Sequence, residues 1–220
     1  MGDATSYDAV LFDNDGVIVE RSTPDVIAPA VRAAFRDVGI ADPDPDHVDY
    51  CMRGRMDDLD AICETYGVDH EAFWERREHH VLRAQREAIE NGGKALYDDV
   101  AVVDEFDADC AIVSNNQHPT IEFIVDHYDL AGRFDPAIGR EMSVAGVARK
   151  KPEPDLIEDA LAALDADRAL YVGDSATDVV AAHAAGIDSV YVDRPNHDPE
   201  PLEREPTHTV ADLTELREVV

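Results

Sequence analysis

The stretch Ala9-Val10-Leu11-Phe12-Asp13-Asn14-Asp15-Gly16 decides how the chain is read. Four apolar residues in a row run into a pair of acids and a glycine. Hydrophobicity that is continuous rather than alternating predicts a strand buried on both faces, the habit of a parallel sheet. Three further runs share this form. Cys110-Ala111-Ile112-Val113 leads into Ser114, Ala169-Leu170-Tyr171-Val172 into Gly173-Asp174, and Ser189-Val190-Tyr191-Val192 into Asp193. Helical patterns lie between them. Leu156, Ile157, Ala160, Leu161 and Leu164 fall on one helical face, and the Ala/Val-rich stretch from Thr177 to Ala185 stops at Gly186. This alternation predicts an α/β fold built on a doubly wound parallel sheet. Residues 21–94 differ. They hold three amphipathic helical windows, at 24–38, 57–66 and 70–91, and no strand; breaks fall at the Asp- and Pro-rich stretch 39–46 and at Asn91-Gly92-Gly93. A helical insert is expected over 21–94, within a core formed by 1–20 and 95–220.

The 220 residues carry 49 Asp and Glu against 19 Lys and Arg, a net charge of −30. The acids are spread through the whole chain, and 45% hydrophobic content is ordinary for a globular protein, so this is no disordered polyanion. Only Lys94, Lys150 and Lys151 are lysines. Cationic patches able to displace counterions from nucleic acid are missing, and docking on anionic lipid is equally disfavoured. Charge of this size repels itself unless salt screens it, and an acidic, lysine-poor composition resembles that of proteins from salt-accumulating halophiles. Cys51, Cys63 and Cys110 are odd in number and lack C-x-x-C spacing, which suits a reducing compartment. MGDATSYD has no basic and apolar leader, and no apolar run approaches the roughly 20 residues that span a bilayer. A soluble cytoplasmic protein is expected.

Ligands of α/β sheets bind beyond the carboxyl ends of the strands. There the sequence offers Asp13-Asn14-Asp15-Gly16, Ser114-Asn115-Asn116 and Gly173-Asp174-Ser175-Ala176-Thr177-Asp178, with Lys150-Lys151-Pro152-Glu153-Pro154 between the last two. Singly each is weak. D-x-D occurs six times, and Asp42-Pro43-Asp44-Pro45-Asp46 imitates a calcium loop but has His47 and Arg53 where Gly and Glu are required, so it reads as a solvated loop. A lone Lys151 would be surface charge, and Asp178 a first-turn acid favoured by the helix dipole. Four elements in this order, three of them at strand ends, are a different matter.

Together they resemble the haloacid dehalogenase superfamily, in its helical-cap phosphatase branch (phosphoglycolate phosphatase and β-phosphoglucomutase relatives). The resemblance covers essentially the whole chain and implies a Rossmann-like core with residues 21–94 as the cap. Asp13 would attack phosphorus and form an aspartyl-phosphate, while Asp15 protonates the leaving alcohol and later takes a proton from water. Gly16 lets the backbone approach the phosphate, and Ser114, Asn115 and Asn116 hold its oxygens. Lys151 neutralises carboxylate and phosphate together. Asp13, Asp174 and the Asp15 carbonyl are hard oxygen ligands suited to Mg²⁺, with Asp178 orienting its waters. An acid at position 15 disfavours dehalogenase and phosphonatase chemistry. A Mg²⁺-dependent phosphatase acting on a small phosphomonoester is the favoured reading, a β-phosphoglucomutase-like mutase the alternative, and a catalytically silent phosphate- or partner-binding protein the second alternative. In the cap, Arg53 and Arg55 flank Gly54 and could meet an anionic substrate group, or pair with Asp57, Asp58 and Asp60. His118 is either a pocket residue or a helix-start surface residue. Phe73 and Trp74 read as cap core, and His79-His80 as a solvated helix face.

Overall fold

Ala9, Val10, Leu11 and Phe12 are wholly buried and form β1 (Ala9–Phe12). In the computed structural model, which describes residues 7–194 and 201–220, five further strands join it: β2 (Asp109–Gln117), β3 (Ala137–Arg140), β4 (Ala169–Gly173), β5 (Asp188–Val192) and β6 (His208–Val210). All pairs are parallel, in the order β3-β2-β1-β4-β5-β6. Successive side chains of a strand point to opposite faces. Val10 and Phe12 therefore pack with Ile112, Leu170 and Val172 on one face, and Ala9 and Leu11 with Ala111, Val113 and Tyr171 on the other. Both faces are covered, which is why the runs lack polar alternation.

The chain leaves the core after β1 and returns beside its own exit. Val19 bridges Leu96, Tyr97 N–H donates to Ile18 O at 3.0 Å, and Glu20 N–H to Ala95 O at 2.9 Å. Between these two passes lie α1 (Pro24–Asp37), α2 (Pro45–Met52), α3 (Leu59–Tyr66) and α4 (His70–Glu90). They enclose a second apolar cluster in which Ala34, Phe35, Leu59, Ile62, Phe73 and Trp74 are buried. Phe73 and Trp74 are thus packing residues, as their sequence context implied. His79 is exposed, and His80 pairs with Asp37 at 2.8 Å.

Three further helices clothe the sheet, α5 (His118–His127), α7 (Asp155–Leu164) and α8 (Ala176–Ala184), while the short α6 (Val144–Ala148) packs Val147 into the apolar cluster of the insert. The stretch 42–46, expected as a solvated loop, instead starts a helix. The Asp44 carboxylate accepts from Asp46 N–H at 2.9 Å and Pro45 opens α2, a capping residue followed by a proline whose missing N–H costs nothing there. Two edge strands, β3 and β6, carry no continuous apolar run and escape a reading based on such runs. All three cysteines are buried free thiols. Among the described residues no helix is long and apolar enough to cross a membrane.

Candidate active site

β1 leads to β2 on one side and its neighbour β4 leads to β5 on the other, so the connections leaving these adjacent strands diverge and open a crevice at the strand ends. Asp13 stands at its centre, held by its N–H to Val172 O at 2.8 Å. Asp174 follows β4 directly. Asp178 lies in the first turn of α8, where its Oδ2 accepts from Ser175 N at 3.0 Å and Ser175 Oγ at 2.6 Å, closing a capping box. Lys151 arrives from the loop before α7. Its ammonium lies 2.8 Å from Asp13 Oδ1 and 2.7 Å from Asp178 Oδ1, and donates to Tyr171 OH at 2.5 Å. Asn115 fixes that loop: its side-chain amide donates to Lys151 O at 2.9 Å and accepts from Lys151 N at 2.7 Å.

Burial pushes the Asp13 carboxyl up to about 7, Asp178 and Asp174 adding repulsion that Lys151 offsets only in part. Asp174 rises to about 6, again through burial, with Arg21 at 2.8 Å working against the shift. The Lys151 ammonium is held well above the ordinary lysine range, since Asp13 and Asp178 outweigh its own desolvation. Asp13, Asp174 and Asp178 each present an oxygen within 4.8 Å of the others. Asp178 Oδ1 is buried and accepts no hydrogen bond, Lys151 lying off the hydrogen-bonding direction. Three buried carboxylates of this kind fit a hard divalent cation such as Mg²⁺.

Asp15 turns away from this cluster. It pairs with Lys94, a fully buried ammonium on the returning pass, and accepts from Asn116 Nδ2 at 2.9 Å and Asn14 Nδ2 at 3.1 Å. Burial alone would raise its pKa, but Lys94, Asn116 and Asn14 together hold it below the usual carboxylate range. Lys94 also reaches Ser22 Oγ at 3.2 Å and Gln85 Oε1 at 3.3 Å, and Gln85 exchanges two hydrogen bonds of 2.9 Å with the Asn116 amide. The proton-transfer candidate is thus tied to both the core and the insert.

Gly16 has φ +90, and a Cβ there would stand 1.7 Å from Asp174 Oδ2. The space that it leaves open is filled by a site carboxylate. Ser114 is buried, its Oγ accepting from Asn116 N at 3.1 Å, and is not part of the cleft wall. The cleft, about 410 Å³, is walled by Asp13, Asp15, Asn115, Asn116 and Asp174, and on the insert side by Arg53, Gly54, Arg77 and Gln85. Of the two expected cap arginines, Arg53 borders the cleft but pairs with Asp49 at 2.9 Å, and Arg55 lies outside it, paired with Asp57 at 3.1 Å. His118 opens α5 as a half-buried residue whose Nδ1 accepts from Gly139 N–H at 3.2 Å, also outside the cleft.

Sequence reading missed Arg21, Gln85, Lys150 and a buried network in which Glu78 joins Arg77 and Arg140. A signal existed for the last. On α4, Arg77 and Glu78 fall four residues after Phe73 and Trp74, and four and three residues before Val81, so a charged pair interrupts the apolar face.

An acid following the first strand of a parallel α/β sheet, a lysine on that acid and two more acids beyond the fourth strand meet in one crevice. The haloacid dehalogenase-like hydrolase family model matches residues 10–192. The chain belongs to that family and is a hydrolase. No curated protein matches it in sequence. Among solved structures it is similar to CbbY from Rhodobacter sphaeroides, in complex with phosphate, at 20% identity and TM-score 0.66, with 96% of each chain covered. A predicted phosphatase from Clostridium acetobutylicum matches at 20% identity and TM-score 0.67, over 97% of this chain and 98% of the other. A predicted phosphoglycolate phosphatase from Lactobacillus plantarum matches at 18% and 0.66, over 98% and 100%. At these identities the likeness is one of fold.

Proposed function

We propose that this enzyme is a Mg²⁺-dependent phosphatase that hydrolyses a small phosphomonoester through an aspartyl-phosphate on Asp13, in the manner of a phosphoglycolate phosphatase. The observation that carries the reading is Asp13 itself: a carboxylate at the end of β1, 2.8 Å from the Lys151 ammonium and grouped with Asp174 and Asp178. Asp13, Asp174, Asp178 and the Asp15 carbonyl would hold the cation, and when bound it supplies positive charge to the phosphoryl oxygens.

A carboxylate oxygen of Asp13 forms a bond to phosphorus as the ester oxygen leaves with a proton from Asp15. Water then attacks phosphorus, Asp15 takes its proton, and Asp13 is released with inorganic phosphate. Lys151 offsets charge on Asp13 and on the transferred group, and keeps the nucleophile turned to the cleft. Asn115 acts in this scheme by holding the Lys151 backbone, Asn116 borders the phosphate end with Ser114 bracing its N–H from behind, and Gly16 leaves room for the Asp174 carboxylate. Lys94, Asn116 and Asn14 favour the ionised form of Asp15, suited to the second step; the first requires these contacts to loosen as substrate and proton arrive. Residues 21–94 serve as a cap that selects the substrate, and the place of work is the cytoplasm.

The test is phosphate release from p-nitrophenyl phosphate and acetyl phosphate with Mg²⁺ in concentrated KCl. Turnover that disappears in Asp13→Asn supports the proposal; turnover retained in that variant, or none in the parent, sinks it. Conversion of β-glucose 1-phosphate to the 6-phosphate without phosphate release would replace it with the mutase reading.

A further inference from the structure

The acids of the cleft wall, Asp13, Asp15 and Asp174, all belong to the strand ends. The other charged residues of the wall are all cations; Arg21 and Arg53 each have a carboxylate of their own, but Arg77, Arg140 and Lys150 are not balanced. A Cβ built on Gly54 would lie 3.8 Å from Arg77 Nη2 and 4.0 Å from Lys150 Nζ, so an insert guanidinium and a core ammonium converge on one point. Arg77 and Arg140 share a single carboxylate. Glu78 accepts from Arg77 Nη1 at 2.6 Å and from both Arg140 terminal nitrogens at 2.8 and 3.0 Å. The Lys150 ammonium has no carboxylate partner among the described residues; its one hydrogen bond goes to Gly54 O at 2.7 Å.

Three cations against one carboxylate leave a surplus of two positive charges, in a chain whose net charge is −30. Holding them together is costly. Burial, Arg140, Arg77 and Arg55 depress the Lys150 ammonium below the ordinary lysine range, and Asp57, itself paired with Arg55, offsets this only in part. Arg77 and Arg140 also spend donors on backbone carbonyls, those of Cys51 and Met52 and those of Asn115 and Glu141. Lys150 differs, since an ammonium has three donors and only one is used.

We propose that Lys150, with Arg77 and Arg140 behind it, binds a second anion of the substrate, so that the substrate class is a phosphomonoester bearing a carboxylate or a second phosphate. This rests on the phosphatase reading for the first phosphate. It also moves anion recognition away from Arg53 and Arg55, each already neutralised by its own aspartate. A neutral-tailed ester would leave the surplus uncompensated in a partly dry cleft, whereas a charge-assisted contact to an anion uses the idle donors.

The experiment compares non-hydrolysable ligands on the Mg²⁺-loaded protein by isothermal titration calorimetry. The ligands are ethylphosphonate, phosphonoacetate and ethylenediphosphonate, with Lys150→Met and Lys150→Arg as variants. At least one dianion is expected to bind about tenfold or more tightly than ethylphosphonate. That gap closes in Lys150→Met and survives in part in Lys150→Arg. Which dianion shows it tells carboxylate from phosphate. Equal binding of all three ligands by the parent protein overturns the proposal, and so does a gap that persists in Lys150→Met. The parent comparison needs no variant to fold. Acetyl phosphate turnover separates the two readings. Turnover with equal ligand binding removes only the second-anion site, while a binding gap without turnover removes only the phosphatase.

Discussion

Arg140 on β3 grips Glu78 on α4 with two hydrogen bonds, 2.8 and 3.0 Å, and both side chains are shut off from solvent. Gln117 completes the arrangement by donating to Glu78 Oε2 at 2.9 Å and to its carbonyl at 2.8 Å. The helical insert is thereby anchored to the sheet. Arg140 and Arg77 outweigh the burial of Glu78 and keep it ionised below the usual range. Removing one partner of a buried pair strands the other. Arg140→Met is therefore expected to cost about 3–5 kcal/mol of unfolding free energy. Urea denaturation at fixed KCl measures this, and a loss under about 1 kcal/mol would show that the pair contributes little.

Lys94 bears on catalysis through Asp15. In Lys94→Met the carboxylate keeps its burial and loses its counter-charge, so its pKa rises. The ionised form that takes a proton from water then requires a higher pH. The acidic limb of the kcat–pH profile should move upward, with kcat near neutrality falling by about tenfold to a hundredfold. A profile superimposable on that of the parent would separate Lys94 from the chemistry.

Asp13 and Asp174, raised to about 7 and about 6, set a pH dependence of opposite sign to that of an ordinary ion pair. Between the unfolded carboxylate range near 4 and these values the folded state holds more protons than the unfolded one. In the metal-free protein these two groups therefore lower stability as pH rises through that window, and add nothing below it. A cation binds the ionised forms, so stabilisation by Mg²⁺ should grow between about pH 5.5 and pH 7.5. Thermal unfolding with and without Mg²⁺ across that range provides the check. A Mg²⁺ effect independent of pH would contradict the assignment of these ligands.

The surface charge makes its own prediction. Most of the 49 acids lie outside the site, and their repulsion opposes folding at low salt. We propose that folding is salt-dependent, as in proteins from salt-accumulating cells. Unfolding free energy should be larger at about 3 M than at about 0.1 M KCl, where screening lengths are about 2 Å and 10 Å. Equal stability would remove the halophile reading and leave the site untouched.

The three lysines show how composition and structure inform each other. Their scarcity is plain from composition alone, but nothing in it foretells that Lys151 and Lys94 stand behind the cleft acids Asp13 and Asp15 while Lys150 faces Gly54 on the wall itself. Lys151 was legible because it follows a recognisable order of motifs. Lys94 is the last residue of the expected insert and Lys150 the neighbour of Lys151, and neither position carries a local signal of its partner.

What the sequence by itself determined was the buried sheet and its chemical ends. Continuous apolar runs have one stable use in a chain this long, and the acids that terminate them must gather at the carboxyl edge. Short-range signals misled where tertiary support decides. Pro45 and Asp44 read as loop yet begin a helix, and β3 pairs although its residues are mostly half-buried. Only the tertiary structure decided which distant charges meet: Glu78 with Arg140, Arg21 with Asp174, and Lys150 with the insert. Such partners lie 62, 153 and 96 residues apart, and no local periodicity records them, because their energies depend on burial and distance created by the fold.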